Sequence, residues 1–231
     1  VTPDSGMAGT LVTISGSELF QGAPSVQSVR LAGVLATVLF QNNTVIVVRA
    51  GLLANTAGVS GDVVVTANTN AVLTRTNGWS YVAYGSMYSV VPSSGQEGTR
   101  VVITGTSLLG GGTALAAVTF GGVAVSSIVS ETNSRVEVIV AASATLGLGD
   151  IVLASNTGGN VTRVGGWTYL QPGSITSLTP SSGQEGTVVV IRGARLLLGG
   201  SSVAAVQLGG VSASSVVSAN DSTVVVVAGA N

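Results

Sequence analysis

The sequence predicts an all-β protein made of tandem β-sandwiches arranged as a rod. Three observations carry this reading. The stretch Pro92-Ser93-Ser94-Gly95-Gln96-Glu97-Gly98-Thr99 recurs letter for letter at Pro180–Thr187, and more loosely at Pro3–Thr10. Short runs of alternating aliphatic and polar residues follow each copy, the period-2 signature of half-buried strands. Nowhere is there a 3.6-residue apolar stripe or a capping box ahead of one, so no helix is expected.

The step from Pro3 to Pro92 is 89 positions and from Pro92 to Pro180 is 88. A period of that size divides the 231 residues into about three copies of one unit. The expected units are 1–83 with its first strand truncated, 84–171, and 172–231 with its C-terminal strands missing. Val1 reads as a cut inside a longer sequence, and the third copy stops short of its last elements. Those would come from continuing chain or from a neighbour.

The elements fall in order. Leu11–Gly16 matches Arg100–Gly105 and Val188–Gly193. Val12, Val101 and Val189 coincide, as do Ile14, Ile103 and Ile191, while Leu11, Arg100 and Val188 vary. Constant aliphatics on one side with an arginine tolerated on the other define a half-buried strand. The closing Gly16, Gly105 and Gly193 suit a bend or bulge needing positive φ. Leu19-Phe20, Leu108-Leu109 and Leu196-Leu197 plug the end of the core, and glycine-containing loops follow at 21–25, 110–113 and 199–202. Val29–Leu31, Val118–Phe120 and Val206–Leu208 are strands leading into hairpin turns at Gly33, Gly122 and Gly210.

A third alternating strand sets Ile46 and Val48 against Val136 and Val138, then Val224 and Val226. The interleaved Val47, Glu137 and Val225 face outward, because a lone buried glutamate is costly. Gly61-Asp62 and Gly149-Asp150 are turns feeding further strands. Gly78-Trp79-Ser80-Tyr81 and Gly166-Trp167-Thr168-Tyr169 close the first two units. Tyr84-Gly85 and Pro172-Gly173 leave almost no linker, so consecutive units abut. About seven short strands per unit with regular turns indicate a β-sandwich.

These residues resemble the IPT/TIG family, immunoglobulin-like domains shared by plexins and transcription factors. Ile175–Gly183 fits the family's opening, Gly186-Thr187 and Val189–Gly193 fit the strand that follows, and Trp167-Thr168-Tyr169 fits the close. The resemblance covers essentially the whole chain, three times over. It implies early-set immunoglobulin-like sandwiches without a required disulfide, found in tandem in surface receptors and secreted proteins. It also implies no catalytic motif.

The chemistry of the chain points the same way. His, Cys and Lys are absent, which removes the usual general bases and activated nucleophiles. No catalytic residue, cofactor site or metal site is expected. The recurring Glu97 and Glu185 are read as solvated turn residues, since the first copy has Ala8 there. Asp62 and Asp150 are read as local Asx turns, and a calcium site would need several acidic groups close together. Trp79 and Trp167 are read as packing residues rather than sugar platforms, and Arg75 and Arg163 as outward-facing. With a net charge of −1 and eight arginines in all, nucleic acid is not an expected partner. Ser, Thr, Gly or Asn interrupts every apolar run, so no membrane insertion is expected within this segment.

Asn42-Asn43-Thr44, Asn160-Val161-Thr162 and Asn220-Asp221-Ser222 fit the N-glycosylation pattern. All three are placed in loops and are candidates for covalent glycans. Charged residues make up only 7% of the chain, against roughly a quarter in an ordinary soluble domain. Outward strand positions carry Val102, Val188, Val190, Val225 and Val227 where charges are usual. Such faces associate.

The expected protein is a non-enzymatic, extracellular or cell-surface repeat protein. It self-associates into a filament, sheath or layer and is glycosylated. The competing reading is an adhesin or receptor ectodomain that binds a protein or glycan through the variable loops. A third is an accessory domain of a glycan-active enzyme whose catalytic domain lies outside this window.

Overall fold

Period-2 runs of valine, isoleucine and leucine, cut by glycine and asparagine turns, dictate strands, and strands are what form. The computed structural model describes residues 1–54 and 58–230, and no helix occurs among them. Asn231, the end of the expected third unit, lies outside the described residues.

The first repeat carries β1 (Ser5–Gly6), β2 (Leu11–Ser15), β3 (Val26–Leu31), β4 (Val34–Gln41), β5 (Val45–Arg49), β6 (Val59–Ala67) and β7 (Val72–Tyr81). Their order in the sheet is β1-β7-β6-β3-β4-β5-β2. The long β4 pairs through its first half with β3 and through its second half with β5, joining the two layers of the sandwich. Val12 lies opposite Val48 and Ile14 opposite Ile46. These four pack against Val29, Leu31, Val63, Val65, Trp79 and Tyr81 in one buried cluster. Trp79 meets Tyr81 edge-on at 5.5 Å, a favoured aromatic geometry. The Tyr81 hydroxyl donates to the Gly51 carbonyl at 3.1 Å, and burial, reinforced by nearby Tyr84, pushes its pKa up to about 12.

The second repeat carries β8 (Ser86–Val91), β9 (Ser94–Gly95), β10 (Arg100–Thr106), β11 (Leu115–Phe120), β12 (Val123–Ala124), β13 (Ser127–Glu131), β14 (Arg135–Ile139), β15 (Gly147–Ser155) and β16 (Asn160–Tyr169). Its sheets run β13-β14-β10-β8 and β12-β11-β15-β16-β9. Val101, Ile103, Val136, Val138, Ile151 and Leu153 are fully buried, and Phe120 meets Trp167 edge-on at 5.1 Å. The third repeat carries β17 (Ser174–Thr179), β18 (Val188–Ala194), β19 (Gln207–Leu208), β20 (Val211–Ser212), β21 (Ser215–Ala219) and β22 (Thr223–Val227). These form the sheet β17-β18-β22-β21 and the hairpin β19-β20. Its buried cluster is four residues, Val189, Ile191, Val224 and Val226. Its open inner side forms a cleft of about 610 Å³ lined by Leu178, Val189, Leu208 and Val211.

By its contacts the chain divides into two compact units. One comprises Val1–Ser93, Arg100–Ala141 and Leu148–Trp167, and the other Ser94–Thr99, Ala142–Gly147 and Thr168–Asn231.

The repeated Pro-to-Thr stretch does more than turn. The peptide bond before each of Pro3, Pro92 and Pro180 is cis. In the second repeat Ser94 and Gly95 then pair in parallel with Thr168 and Tyr169, and in the first Ser5 and Gly6 pair with Ser80 and Tyr81. The segment therefore crosses from the sheet of the first strand to the sheet of the last. A tight turn closes behind it. The Thr99 N–H donates to the Gln96 carbonyl at 3.1 Å, and the Thr99 hydroxyl accepts the Gln96 N–H at 3.0 Å. Thr10 does the same for Met7 and Thr187 for Gln184. The threonine side chain lies where a Cβ on the first glycine would stand, within 2.4–2.6 Å at Gly6, Gly95 and Gly183.

Gly16, Gly105 and Gly193 need a correction. None of them has positive φ. They are glycine because a Cβ would strike the following plug leucine, Leu19, Leu108 or Leu196, at 2.7–2.8 Å. At Gly105 and Gly193 it would also stand 2.0 Å from a carbonyl of the preceding strand. The bulge itself is present, with the register of β10 against β8 slipping between Thr104 and Gly105.

Candidate interaction faces

One layer of each repeat, three strands in the first (β2, β5 and β4) and four in the second and third, turns one side to the core and the other away from it, so the sequence of the away-facing rows sets the surface. In the first repeat Thr13, Val47 and Phe40 form one such row and Leu11, Arg49 and Thr37 the next. Phe40 is 53% exposed and Leu11 44%. In the third repeat Val190, Val225 and Ser218 form one row, and Val188, Val227 and Ser215 the next. Each of these two faces carries a single arginine, Arg49 or Arg192, among the described residues.

The second repeat breaks the pattern. Its equivalent face holds Arg100, Glu137 and Arg135. Glu137 lies on the outer side, as expected, yet it is only 7% exposed. The cover is its partners, not the core. Arg100 Nε and Arg135 Nη1 both bond its carboxylate, the latter at 2.8 Å. The Arg100 bond first, and the Arg135 bond second, hold the carboxyl below its ordinary pKa against the opposing pull of burial.

A feature not foreseen recurs at the sheet edge. Each repeat has a bulge in the strand preceding its third alternating strand, and the bulged residue is aliphatic and exposed. These are Leu39, Val129 and Val217, at 49%, 45% and 62%. Bulges are a usual defence of an edge strand, but here the residue pushed outward is apolar. This strand is β4 in the first repeat, β12 and β13 in the second, and β20 and β21 in the third. Its residues alternate too weakly to stand out.

Asn42 and Asn220 sit exposed in the turns before β5 and β22. The Asn42 Oδ1 accepts the Thr44 N–H, the Thr44 hydroxyl and the Val45 N–H at 2.7–3.0 Å, and Asn220 repeats this with Ser222 and Thr223. Thr132 takes over with its hydroxyl in the second repeat. The middle residue of each turn is also engaged. Asn43, Asn133 and Asp221 each accept one plug-loop N–H on the side chain and another on the backbone carbonyl. Asn160 is exposed but opens β16 rather than lying in a loop, because Val161 behind it is buried and anchors the strand.

Trp79 and Trp167 are wholly buried and unavailable for stacking on a sugar. Asp62 and Asp150 also differ from expectation. Their carboxylates accept the N–H of Asn77 and Gly165, 15 residues on, at 2.9 and 2.8 Å. Each fastens the facing strand where the chain takes positive φ, so the bond is across the hairpin, not within a local turn. Arg75 is exposed, whereas Arg163 is half-buried and donates to the Met87 carbonyl at 3.4 Å. Among the described residues no three acidic, His or Cys side chains gather as a metal site would require. No helix there is long and apolar enough to cross a membrane.

Residues 1–81 and 174–231, more than half of the chain, match a family model described as IPT/TIG domain. The chain belongs to the IPT/TIG family. Among solved structures it is similar to the full extracellular region of plexin A4, at 19% identity and a TM-score of 0.53. That match covers 99% of this chain and 20% of the plexin. Another match is the SGBP-B of the Bacteroides ovatus mixed-linkage glucan utilization locus, at 12% identity and a TM-score of 0.31, covering 81% of this chain and 48% of that protein. This TIG chain thus spans about a fifth of the plexin region and about half of the SGBP-B. No curated protein matches it in sequence.

Proposed function

We propose that this chain is a non-enzymatic structural segment of an extracellular or cell-surface protein, built of TIG repeats at 1–83, 84–171 and 172–231. Copies associate into a filament, sheath or surface layer. The observation that carries this is the pair of nearly uncharged outer faces, Leu11, Phe40 and Val47 on the first repeat and Val188, Val190, Val225 and Val227 on the third. The named plexin region is extracellular, which is the reason for placing this chain outside the cell.

Geometry favours a polymer over a dimer. Even the larger face, the four strands of the third repeat, about 4.8 Å apart with five residues of about 3.3 Å each, covers only about 300 Å². Pairing two such faces buries about 600 Å², short of the roughly 1,200–2,000 Å² of a stable interface. One face alone is a weak contact, and repetition along an array supplies the rest by avidity. The exposed Asn42, Asn160 and Asn220 are acceptors for N-linked glycans on a secretory route.

Sedimentation velocity over a hundredfold concentration range tests the reading. Species growing in size with concentration are expected. A single monomer boundary at the highest concentration overturns it and favours a binding module acting through the loops at 21–25, 110–113 and 199–202.

A further inference from the structure

The turn that opens the first repeat is closed by residues of the second. The Leu11 N–H donates to the Thr157 carbonyl at 2.8 Å. Gly9 and Gly158 meet backbone to backbone, so that a Cβ on either would stand 3.0 or 2.9 Å from the other's carbonyl oxygen. A Cβ on Gly111 would stand 3.0 Å from the Gly6 Cα and 3.1 Å from Val82. One on Gly159 would press on the stem of Met7 at 2.6 Å. Met7, inside this contact, is 1% exposed. All of these residues lie within one compact unit of the chain.

The residues that connect the two repeats are held from both sides. The Tyr84 hydroxyl accepts the Leu53 N–H and donates to the Leu53 carbonyl, each at 3.1 Å, which ties the connection back to the first repeat. Beside it, a Cβ on Gly85 would stand 2.6 Å from the Ser107 carbonyl oxygen of the second.

The sequence on each side of the contact answers to the other side. The Asn156–Gly159 loop does not need glycine for its own course. The equivalent loop of the first repeat has Asn70 and Ala71 at the last two positions, and Asn70 takes positive φ as Gly158 does. What glycine supplies here is the close approach of two backbones. Across the contact, Met7 stands where the other repeats have Gln96 and Gln184. An unbranched apolar side chain fills a slot walled by glycine, where an amide would lose its water.

We propose that the Thr157–Gly159 loop is a latch on the Gly6–Leu11 turn, so that the folding of the first repeat is coupled to that of the second. Stability in repeat arrays is a sum of intrinsic terms and terms between neighbours, and the geometry gives one such term to these residues. The coupling acts within a single chain and holds whether or not copies associate, so its test and that of the polymer reading fail separately.

Residue-resolved hydrogen exchange on the full chain tests it. G158N/G159A gives the latch the residues of the first-repeat loop, whose turn accommodates them. Exchange at the Leu11 amide and through β2 and β5 should speed up by about tenfold, while β10 and β14 stay protected and show that the second repeat is still folded. Met7→Gln is the reciprocal variant, made in the first repeat and read in the second. The Ser155 and Gly158 N–H groups, which close the latch loop on itself, should then exchange faster. If the loop variant also loosens β10 and β14, the Met7→Gln arm alone decides. Combining all three substitutions should add little to either effect, since one latch cannot be undone twice. Unchanged exchange on the far side of the contact, or strictly additive effects, overturns the coupling.

Discussion

Placing a methyl group on Gly95 should destabilise the second repeat, and removing the Thr99 side chain should restore much of the loss. A Cβ at residue 95 stands 2.4 Å from the Thr99 Oγ1, 2.8 Å from its Cγ2 and 3.0 Å from its Cβ. The first two distances are below any tolerable contact, so the threonine must move, and with it goes its bond to the Gln96 N–H. Overpacking of this kind costs about 1–3 kcal/mol, and the lost hydrogen bond adds about 1 kcal/mol. Thr99→Ala alone forfeits only the bond, about 1 kcal/mol. In G95A/T99A the 2.4 and 2.8 Å contacts no longer exist, so the double variant should be more stable than the sum of the singles requires, by about 1 kcal/mol or more. Trp167 reports on this. It lies one residue before Thr168, which pairs with Ser94, and a Trp79→Phe background leaves it as the sole tryptophan. Urea unfolding followed by its fluorescence gives the four midpoints. An unchanged midpoint for G95A, or strict additivity in the double variant, refutes the account of the repeated motif.

The Arg100–Glu137–Arg135 group makes a pH-dependent contribution. The folded carboxyl sits below its ordinary value, so its stabilisation is present above the unfolded glutamate pKa of about 4.3 and fades as pH falls through the folded value. Wild type should therefore exceed Glu137→Gln in urea midpoint at pH 7, with the gap closing as pH drops below about 4; a gap constant across that range contradicts the assignment. Replacing Asn42 with Ala strips an acceptor from three donors in its turn and should cost about 1 kcal/mol, read from urea unfolding in a Trp167→Phe background with Trp79 as the sole tryptophan. The intact mass of the natural protein tests the glycan proposal, with up to three glycan increments expected on Asn42, Asn160 and Asn220 and the bare polypeptide mass contradicting it.

Much of the fold was legible because burial repeats in register. Val12, Val101 and Val189 recur where a core-facing strand residue must be aliphatic, and their partners Val48, Val138 and Val226 are the ones found opposite them. What was hidden depends on through-space partners. That Gly105 avoids a carbonyl rather than adopting positive φ cannot be read from sequence, since both demands select glycine. That the outward Glu137 is covered could not be read from sequence, because its cover, Arg100, lies 37 positions away. Asp62 and Asp150 looked like local caps because their acceptor role is filled across a hairpin. The strand carrying Leu39, Val129 and Val217 escaped notice because its bulge breaks the alternation by which strands are recognised. Of the candidate surface, the uncharged composition was plain, but which valines share a face, and that the second repeat alone interrupts it with an ion-paired cluster, required the register.

The claim that the uncharged sheet faces drive assembly is tested most directly by negative-stain microscopy of the wild-type chain beside Phe40→Glu/Val190→Glu. Both substitutions lie on outer rows and leave the core untouched, so the fold persists while each face gains a charge. The account predicts extended polymers for the wild type and isolated particles for the variant at the same concentration. Polymers of equal length in both, or isolated particles in both, would contradict it.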